Sequence, residues 1–345
     1  MSRIAVLGSG AWGTALALSL ARRGGHQVAL WAHAEELARQ IAAAGENTQF
    51  LPGFPLPADL TVTADSDVLA SAEILVSVVP SEFLRATFAR VVPHLHDGQI
   101  VVSATKGIED QSFLRMTEVI ADCLAGASAR PSSLVPHPCS FPIGALSGPS
   151  FAAEVAEGQP TAVTLAFADP GVAAHVQQAF SSESLRLYTS TDVTGVELAG
   201  ALKNVIAIAA GVVSGAGLGY NSTAALITRG IAEITRLAVA CGARRETLGG
   251  LAGVGDLVLT CTGSLSRNRT VGAALGQGHK LPEILESLGG KVAEGVRTTR
   301  AALGMARQHG VEMPIAEQME LILNNGKDPR AAIRELMLRP GKEER

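Results

Sequence analysis

Apolar residues recur along this chain in two different patterns, one in each half. In the first half, short runs rich in Val, Ile and Leu alternate with helical segments. The runs are nearly continuous, which is typical of strands buried in a parallel sheet. We predict strands at Arg3–Leu7, Gln27–Trp31, Ile74–Val79, Ile100–Ser103, Thr161–Phe167 and Leu185–Tyr188, and helices at Thr14–Arg23, Ser112–Leu124 and Val172–Phe180. This alternation predicts an α/β domain over residues 1–190.

From near Thr191 to Leu338 every periodic segment is helical, which predicts an all-α domain over residues 191–340. Its first helix, within Asp192–Leu218, is apolar nearly all round, and such a helix is expected to be buried. Thr191 or Asp192 can cap its start, and Thr194 and Glu197 have the spacing of a capping box.

Lys203 lies inside this apolar helix, together with Glu197 and Asn204. A lysine is rarely buried unless it is paired or used chemically. Burial disfavours its charged form, which can bring a lysine into the range for proton transfer near neutral pH. A structural pair with Glu197 and a snorkelling lysine are the alternatives.

A glycine-rich turn follows the first predicted strand. Gly8, Gly10 and Gly13 form G-x-G-x-x-G between a strand and a helix, with a second strand ending at Trp31. This is the context of the dinucleotide fingerprint, in which the helix N-terminus faces the pyrophosphate. The sequence therefore predicts a Rossmann-type dinucleotide-binding domain; a glycine-rich turn in an unrelated α/β protein is the alternative.

The end of the second strand bears on the choice of cofactor. NAD-specific sites usually place an acid there to hold the ribose 2′-hydroxyl, whereas here the chain reads Trp31-Ala32-His33, with acids only at Glu35 and Glu36. NADP(H) should therefore be accepted beside NAD(H). We expect no arginine beside His33 to clamp a 2′-phosphate, so strict NADP selectivity does not follow. Phe50, in the proline-rich loop over residues 46–60, either covers the cofactor or packs.

Further polar residues follow strands or open helices. Lys106 follows a strand at the edge where open α/β sheets bind ligands, although a solvated loop lysine is the common case. Asp256 follows a glycine-rich loop and either holds a lysine or hydroxyl, or caps the next helix. Ser266 is a candidate N-cap, which places Arg267 and Asn268 in a first helical turn and predicts an anion site of phosphate size.

Composition narrows the classes of function. The net charge is −4, with 47% hydrophobic and 17% charged residues, so a nucleic-acid partner is not expected. The four cysteines have no metal-ligand spacing, which fits a reducing, cytoplasmic location. The start lacks a signal-peptide pattern, and the apolar run over residues 205–213 is too short to span a bilayer. No metal is predicted. The Gly- and Ala-rich helical half could pair with a second copy, as a homodimer.

These residues alone predict a nucleotide-binding domain followed by a helical domain with a buried lysine and an anion site. The chain also resembles the bacterial NAD(P)-dependent sn-glycerol-3-phosphate dehydrogenases over almost its whole length. The motifs are GSGAWGTALA at 8–17, SATKGIE at 103–109, LSGPSFA at 146–152, ELAGALKNVIAIAAG at 197–211, GLAGVGDLVLTCTG at 250–263, SRN at 266–268 and VAEG at 292–295. The connection over residues 126–142 is longer than this family leads us to expect.

The resemblance implies reduction of dihydroxyacetone phosphate to sn-glycerol 3-phosphate, which feeds phospholipid synthesis. It implies that Lys203 is the proton donor and acceptor. By the same resemblance, the substrate-binding residues are Lys106, Gly148, Ser150, Asp256, Ser266, Arg267 and Asn268, and the cofactor contacts are Ala11, Trp12, His33, Lys106, Ala152, Arg267, Val292 and Glu294. The family commonly has Ser at the position of Ala11, so this contact would involve the backbone alone.

Three other functions fit parts of the sequence. One is a dehydrogenase of another hydroxy acid or sugar phosphate. Another is a UDP-sugar dehydrogenase, which needs a nucleophilic cysteine, for which Cys261 is the candidate. The third is a non-catalytic NADPH-sensing protein that retains the fold.

Overall fold

A computed structural model describes residues 1–128, 141–287, 294–341 and 343 of the chain. It divides into two units, the first comprising Met1–Glu109 and Leu114–Glu197, the second Asp110–Phe113 and Leu198–Arg345. Most of the connection over residues 126–142 lies outside the described residues, as does Val292.

The described strands of the first unit form one sheet of eight. They are β1 Ser2–Leu7, β2 His26–Trp31, β3 Thr61–Thr63, β4 Ile74–Ser77, β5 Ile100–Ser103, β6 Ile143–Ser147, β7 Thr161–Ala166 and β8 Leu185–Ser190. The strand order is β3-β2-β1-β4-β5-β6-β7-β8, and all neighbours are parallel except β6 and β7. The chain order reverses between β1 and β4, and open α/β sheets bind ligands at such a point.

Helices pack against the strands through alternating side chains. In this unit they are α1 Ala11–Arg23, α2 Glu35–Ala44, α3 Asp67–Ser71, α4 Ser81–Val91, α5 Met116–Ser128, α6 Ala152–Glu157 and α7 Pro170–Phe180. Ile4 and Val6 of β1 share one buried cluster with Leu16 of α1. Leu7 lies in another cluster with Phe88 of α4. Successive side chains of a strand point to opposite faces, so both faces of the central strands are buried.

One predicted helix begins later than its sequence pattern indicates. The helix predicted from Ser112 starts at Met116, because the preceding residues form a loop closed by a β-bridge between Ile108 and Arg115. Gln111 and Phe113 in this loop have left-handed backbones, with φ of 73° and 59°. Such φ values do not continue a right-handed helix.

The second unit is helical throughout its regular elements. Its helices are α8 Val193–Gly215 (from Leu198 onward), α9 Tyr220–Ala240, α10 Arg245–Leu248, α11 Asp256–Thr262, α12 Arg267–Gly276, α13 Leu281–Ser287, α14 Glu294–Gln308, α15 Pro314–Asn325 and α16 Pro329–Met337. The prediction of a Rossmann-type α/β part followed by a helical part is confirmed. The division into domains at residue 190 stays a prediction.

Glycines bring α8 and α12 into backbone contact. A Cβ on Gly211 would overlap the carbonyl oxygen of Arg269, and one on Gly272 would overlap that of Ile208. Only glycine permits this approach, so the two helices are held at a fixed spacing. This matters because α8 carries Lys203 and α12 begins with the predicted anion site.

Helix α8 is long and apolar enough, by length and composition, to cross a membrane, whereas residues 205–213 alone are too short to do so. The whole apolar window is buried inside the fold. A buried core helix passes the same test of composition, and α8 is packed as one.

Candidate active site

The glycine turn after β1 has the geometry that its fingerprint requires. Gly8 has φ of 120°, and a Cβ there would lie 3.1 Å from the carbonyl group of Val78. A Cβ on Gly13 would overlap the carbonyl oxygen of Gly8, whereas nothing lies within 4 Å of a Cβ on Gly10. The turn is thus closely packed at Gly8 and Gly13 and open at Gly10. The first N–H groups of a helix lack intrahelical acceptors, so the open position fits a pyrophosphate.

Three predicted cofactor contacts lie in one apolar cluster. Ala11 and Trp12 open α1, Ala152 opens α6, and all three pack against a buried group that includes Leu18 and Val155. The structure therefore brings these residues together beside the glycine turn. Their roles as cofactor contacts stay predictions.

A buried asparagine that the sequence did not single out supports this turn. Asn47 donates to the carbonyl oxygen of Ser9 at 2.8 Å and to the hydroxyl of Thr14 at 2.7 Å. Its side-chain oxygen accepts from the backbone N–H of Phe50 at 3.2 Å. Asn47 thus ties the loop of Phe50, which is itself partly exposed, to the glycine turn. The only sequence signal was a polar residue inside a proline-rich loop, which does not reveal burial.

The expectation that no arginine stands beside His33 is wrong. The side chain of Arg90, from α4, donates to the backbone carbonyl of His33 at 3.2 Å. Its guanidinium carbon lies 5.4 Å from the ring centroid of Trp31, the last residue of β2. Arg90 is 57 residues from His33 in sequence, and only the packing of α4 beside β1 and β4 brings it to the end of β2.

Lys106 lies in the loop after β5 and contacts the turn after β6. Its Nζ donates to the carbonyl oxygen of Gly148 at 3.4 Å, and the hydroxyl of Ser150 donates to the same oxygen at 3.0 Å. Gly148 has φ of 152°, and a Cβ there would lie 2.9 Å from the Cα of Val163. Three predicted substrate residues of the first unit therefore converge on one carbonyl oxygen. A freely solvated loop lysine does not describe Lys106, which is half-buried.

Lys203 is buried and paired with Asp256. Its Nζ donates to Oδ1 of Asp256 and, at 2.8 Å, to the hydroxyl of Thr260. The two charged side chains are 8% and 1% exposed. The Thr260 hydroxyl in turn donates to the carbonyl oxygen of Asp256 at 2.6 Å. Asp256 therefore holds the lysine, as one of its two sequence interpretations predicts. The other interpretation, a helix cap, is wrong, because Asp256 is the first residue of α11 and Gly255 occupies the cap position. Thr260 is a partner that the sequence did not reveal.

Glu197 has a different role from either one expected of it. Its carboxylate accepts from the Arg115 guanidinium at 2.5 Å, and from the Thr117 backbone N–H at 2.8 Å and hydroxyl at 2.6 Å. The capping box with Thr194 and the structural pair with Lys203 are therefore both wrong. Asp192, one of the two residues predicted to cap α8, does so: its carboxylate accepts from the N–H of Gly195 at 2.9 Å. Burial raises the pKa of the Glu197 carboxyl, and the Arg115 charge opposes this shift.

The predicted helix start at Ser266 is present. The hydroxyl of Ser266 accepts from the backbone N–H of Arg269 at 3.2 Å, as an N-cap does. Arg267 opens α12 and is exposed, whereas Asn268 is buried and accepts from the backbone N–H of Gly295 at 3.0 Å. A helix N-terminus with an exposed guanidinium beside it has the chemistry of an anion site.

Glu294 opens α14 and lies near the same group. Asn204 directly follows Lys203 on α8, and its side-chain amide donates to the Glu294 carboxylate at 3.4 Å. A Cβ on Gly295 would lie 2.6 Å from the carbonyl oxygen of Asn204. The structure therefore joins Asn204, Glu294 and Asn268 around Gly295. Val292, the predicted neighbouring contact, falls outside the described residues.

Cys261 does not have the environment of a nucleophile. The residue is buried in α11, and burial raises the pKa of its thiol to about 12. Because the thiolate is the nucleophilic form, the UDP-sugar dehydrogenase interpretation loses its required residue. Within residues 1–128, 141–287 and 294–341, no three His, Cys, Asp or Glu side chains are grouped to hold a metal ion.

The fold and these residues define a dehydrogenase of the nicotinamide-dinucleotide class. Residues 3–173 match the profile described as "NAD-dependent glycerol-3-phosphate dehydrogenase N-terminus", and residues 192–334 match the corresponding C-terminus. The chain belongs to this family, which confirms the resemblance and the NAD(P) class of cofactor.

Full-length relatives and solved structures agree with this assignment. A glycerol-3-phosphate dehydrogenase [NAD(P)+] of Acidobacterium capsulatum is 58% identical over all of both chains. One from Geobacter sulfurreducens is 50% identical over 99% of both. The crystal structure of glycerol-3-phosphate dehydrogenase from Coxiella burnetii is 39% identical, with a TM-score of 0.90, and covers 98% of this chain and 99% of its own. A ketopantoate reductase from Ralstonia eutropha, 17% identical with a TM-score of 0.59, shares the fold alone.

Proposed function

We propose that the protein reduces dihydroxyacetone phosphate to sn-glycerol 3-phosphate, reversibly, with NADPH or NADH. The observation that carries this proposal is the buried Lys203–Asp256 pair on helices adjoining an Arg/Asn helix start, in a chain of the glycerol-3-phosphate dehydrogenase family. Residues 1–190 are the cofactor domain and residues 191–340 the substrate domain in this proposal.

The glycine turn holds the dinucleotide, because Gly10 leaves its backbone open at the N-terminus of α1. A bound reduced nicotinamide supplies the hydride. Ala11, Trp12 and Ala152 provide an apolar surface beside the turn, and Asn47 keeps the turn in one conformation. Phe50, His33, Val292 and Glu294 remain proposed cofactor contacts, as do Lys106 and Arg267.

Lys203 is the proposed proton donor and acceptor. A carbonyl oxygen gains negative charge as it is reduced, and an ammonium group within reach can donate a proton to it. The carboxylate of Asp256 lies against the Lys203 Nζ and favours its ammonium form, which is the form that carries the proton. The Thr260 hydroxyl fixes the direction of Nζ by accepting a second hydrogen bond.

The substrate phosphate is proposed to bind at the start of α12. Ser266 occupies the cap position, and Arg267 adds a guanidinium that can form paired hydrogen bonds to a phosphate. Asn268 anchors this turn to Gly295 rather than to solvent. In the first unit, Lys106, Gly148 and Ser150 are the proposed further substrate contacts.

The experiment is a spectrophotometric assay of NADPH or NADH oxidation with dihydroxyacetone phosphate, using wild type and Lys203→Ala. Because general acid–base catalysis contributes typically ~10²–10⁴-fold, kcat should fall by about that factor while NADPH binding is retained. Lys280→Ala, an exposed lysine of the same unit, is the matched control and should keep wild-type kcat.

Three outcomes would contradict the proposal in different ways. A Lys203→Ala variant that keeps more than about a tenth of kcat excludes Lys203 as the proton carrier. Turnover of other phosphorylated or carboxylated ketones, but not of dihydroxyacetone phosphate, favours a related dehydrogenase. NADPH binding without turnover of any ketone favours a non-catalytic sensor.

The proposed product is the glycerol phosphate unit of glycerophospholipids, so the biological role we propose is supply of phospholipid synthesis. A cytoplasmic location and a homodimer stay predictions from the sequence. Gel filtration of the purified protein would test the second of these.

A further inference from the structure

Arg90 lies where a Rossmann-type domain contacts the adenosine ribose of its dinucleotide. The group that discriminates NAD from NADP is contacted at the end of the second strand, and β2 ends at Trp31. Arg90 donates to the carbonyl of His33, two residues later, and stacks over Trp31. We propose that Arg90 binds the 2′-phosphate of NADP and gives the protein its preference for NADP(H) over NAD(H). This inference rests on the proposed cofactor site.

Trp31, on which Arg90 stacks, is fixed by hydrogen bonds of both its backbone and its indole ring. The backbone carbonyl of Trp31 accepts from the N–H of Gly8 at 3.0 Å, which joins the end of β2 to the glycine turn. The indole N–H of Trp31 donates to the carbonyl of Ala64 at 3.0 Å, and the residue is buried. Because the indole cannot move freely, the guanidinium stacked on it is positioned before any ligand binds. A fixed guanidinium loses less conformational freedom when it forms hydrogen bonds.

The guanidinium of Arg90 is available to an additional anion. Glu35 and Glu36, the acids that follow His33, both pair with Arg39 on α2, at 3.8 and 3.0 Å. Arg90 forms no ion pair with any residue in the described part of the chain, and its side chain is exposed. Its five N–H donors exceed the one carbonyl that it contacts, so donors remain for phosphate oxygens. A dianionic 2′-phosphate would therefore meet a guanidinium that no carboxylate neutralises.

A purely structural role is the competing explanation, because arginines also stack on aromatic rings elsewhere in proteins. The same unit offers a direct comparison. Arg186 of β8 lies 5.1 Å from the ring centroid of Tyr188, but at the far edge of the sheet from β2. If stacking alone mattered, loss of either arginine would have similar consequences. Binding of a 2′-phosphate should depend on Arg90 alone.

The test measures binding of adenosine fragments, so it needs no substrate and no turnover. Isothermal titration calorimetry would compare adenosine 2′,5′-bisphosphate with adenosine 5′-monophosphate on wild type, Arg90→Gln, Arg90→Lys and Arg186→Gln. Because hydrogen bonds to a charged group are lost, Arg90→Gln should raise the Kd of the bisphosphate about tenfold to a hundredfold. The Kd of the monophosphate should change less than about twofold, which excludes collapse of the strand edge.

Arg90→Lys keeps the charge but loses the planar fork, so its bisphosphate affinity should lie between those of wild type and Arg90→Gln. Arg186→Gln should match wild type with both ligands. Equal losses for the two ligands in Arg90→Gln would show a structural role, and no loss for either would show no role; both results overturn the inference.

The same variants separate this inference from the proposed function. If wild type reduces dihydroxyacetone phosphate but Arg90→Gln keeps wild-type affinity for the bisphosphate, the function stands and the inference fails. If Arg90 controls bisphosphate binding but wild type does not reduce dihydroxyacetone phosphate, the proposed reaction fails and the inference stands.

Discussion

Replacing Asp256 with Asn should unbalance the charge at the centre of the proposed site. The substitution keeps the size of the side chain but removes the charge that faces the ammonium of Lys203. Removing one partner of a buried ion pair costs about 3–5 kcal/mol, because the other charge stays desolvated. Both side chains are almost fully buried, and Thr260 still accepts one hydrogen bond from Nζ. We therefore expect a loss near the lower limit, about 3 kcal/mol.

The activity of Asp256→Asn should fall for a related reason. Without the carboxylate, burial disfavours the ammonium form of Lys203, so fewer molecules hold the proton that reduction requires. At neutral pH kcat for reduction should drop at least about tenfold, within the range that a general acid contributes. Activity should recover in part as the pH is lowered, because acid restores the ammonium.

Stability should be followed by far-UV circular dichroism during urea unfolding. The two tryptophans, Trp12 and Trp31, both lie in the first unit, so their fluorescence does not report directly on the unit that holds the pair. The double variant Lys203→Met/Asp256→Leu removes both charges and should be more stable than Asp256→Asn, because no unpaired charge remains. Glu335→Gln, which breaks the pair of the exposed Glu335 with the half-buried Lys327, is the control and should cause a much smaller loss than Asp256→Asn.

Two results would refute this reasoning. An Asp256→Asn variant with wild-type stability would show that the lysine is not a buried charge in need of a partner. A variant with wild-type kcat and an unchanged pH profile would show that Asp256 does not control the protonation of Lys203 during the reaction.

Three further perturbations follow from the same structure. Gly272→Ala should lower the free energy of unfolding by about 1–3 kcal/mol, because its Cβ would overlap the carbonyl oxygen of Ile208. Gly249→Ala is the control, since the nearest atom to its Cβ would lie 3.5 Å away. Equal melting temperatures of the two variants would contradict the close helix contact. Burial raises the pKa of Glu233 from 4.5 to about 7, so its contribution to stability is fully present below pH 4.5 and is lost as the pH rises through about 7. Glu233→Gln should therefore flatten the dependence of the urea midpoint on pH across this window, and an unchanged slope would contradict it. Arg267→Ala should raise the KM for dihydroxyacetone phosphate about tenfold or more, because a charge-assisted hydrogen bond to the phosphate is lost. Initial-rate measurements would test this, and an unchanged KM would contradict the anion site.

Local features of the sequence predicted much of this molecule. The roles of Gly8, Gly10 and Gly13 depend on residues close in sequence, on one strand and one helix, and the structure shows the expected close and open positions. Ser266 capped its helix as predicted, because an N-cap depends on backbone groups only two or three residues ahead. The family motifs then added the substrate and cofactor, which the fold alone does not identify.

Pairings between distant residues could not be predicted in this way. A buried lysine needs a partner, but the sequence offered Glu197, six residues away, as well as Asp256, 53 residues away. Arg90 reaches His33, just past the end of β2, from 57 residues further along the chain, and no local pattern marks it. Apolar residues can be buried against many neighbours, whereas a buried polar group needs one partner with suitable geometry. Its choice is therefore settled by the tertiary fold.

The three polar residues of α8 show what a buried polar residue does and does not indicate. All three interrupt an otherwise apolar helix and look alike in sequence. Glu197 contacts Arg115, at the end of the loop after β5, and Thr117 of α5. Lys203 contacts Asp256, and Asn204 contacts Glu294. Glu197 has its hydrogen-bonding oxygens occupied by a guanidinium and two groups of one threonine, which is the pattern of a structural ion pair. Lys203 instead combines a compensating carboxylate with a hydroxyl that orients its nitrogen, on a helix held by glycine contacts to the proposed phosphate site. The identity and arrangement of the partners, rather than burial alone, therefore distinguish a candidate catalytic residue from a structural one.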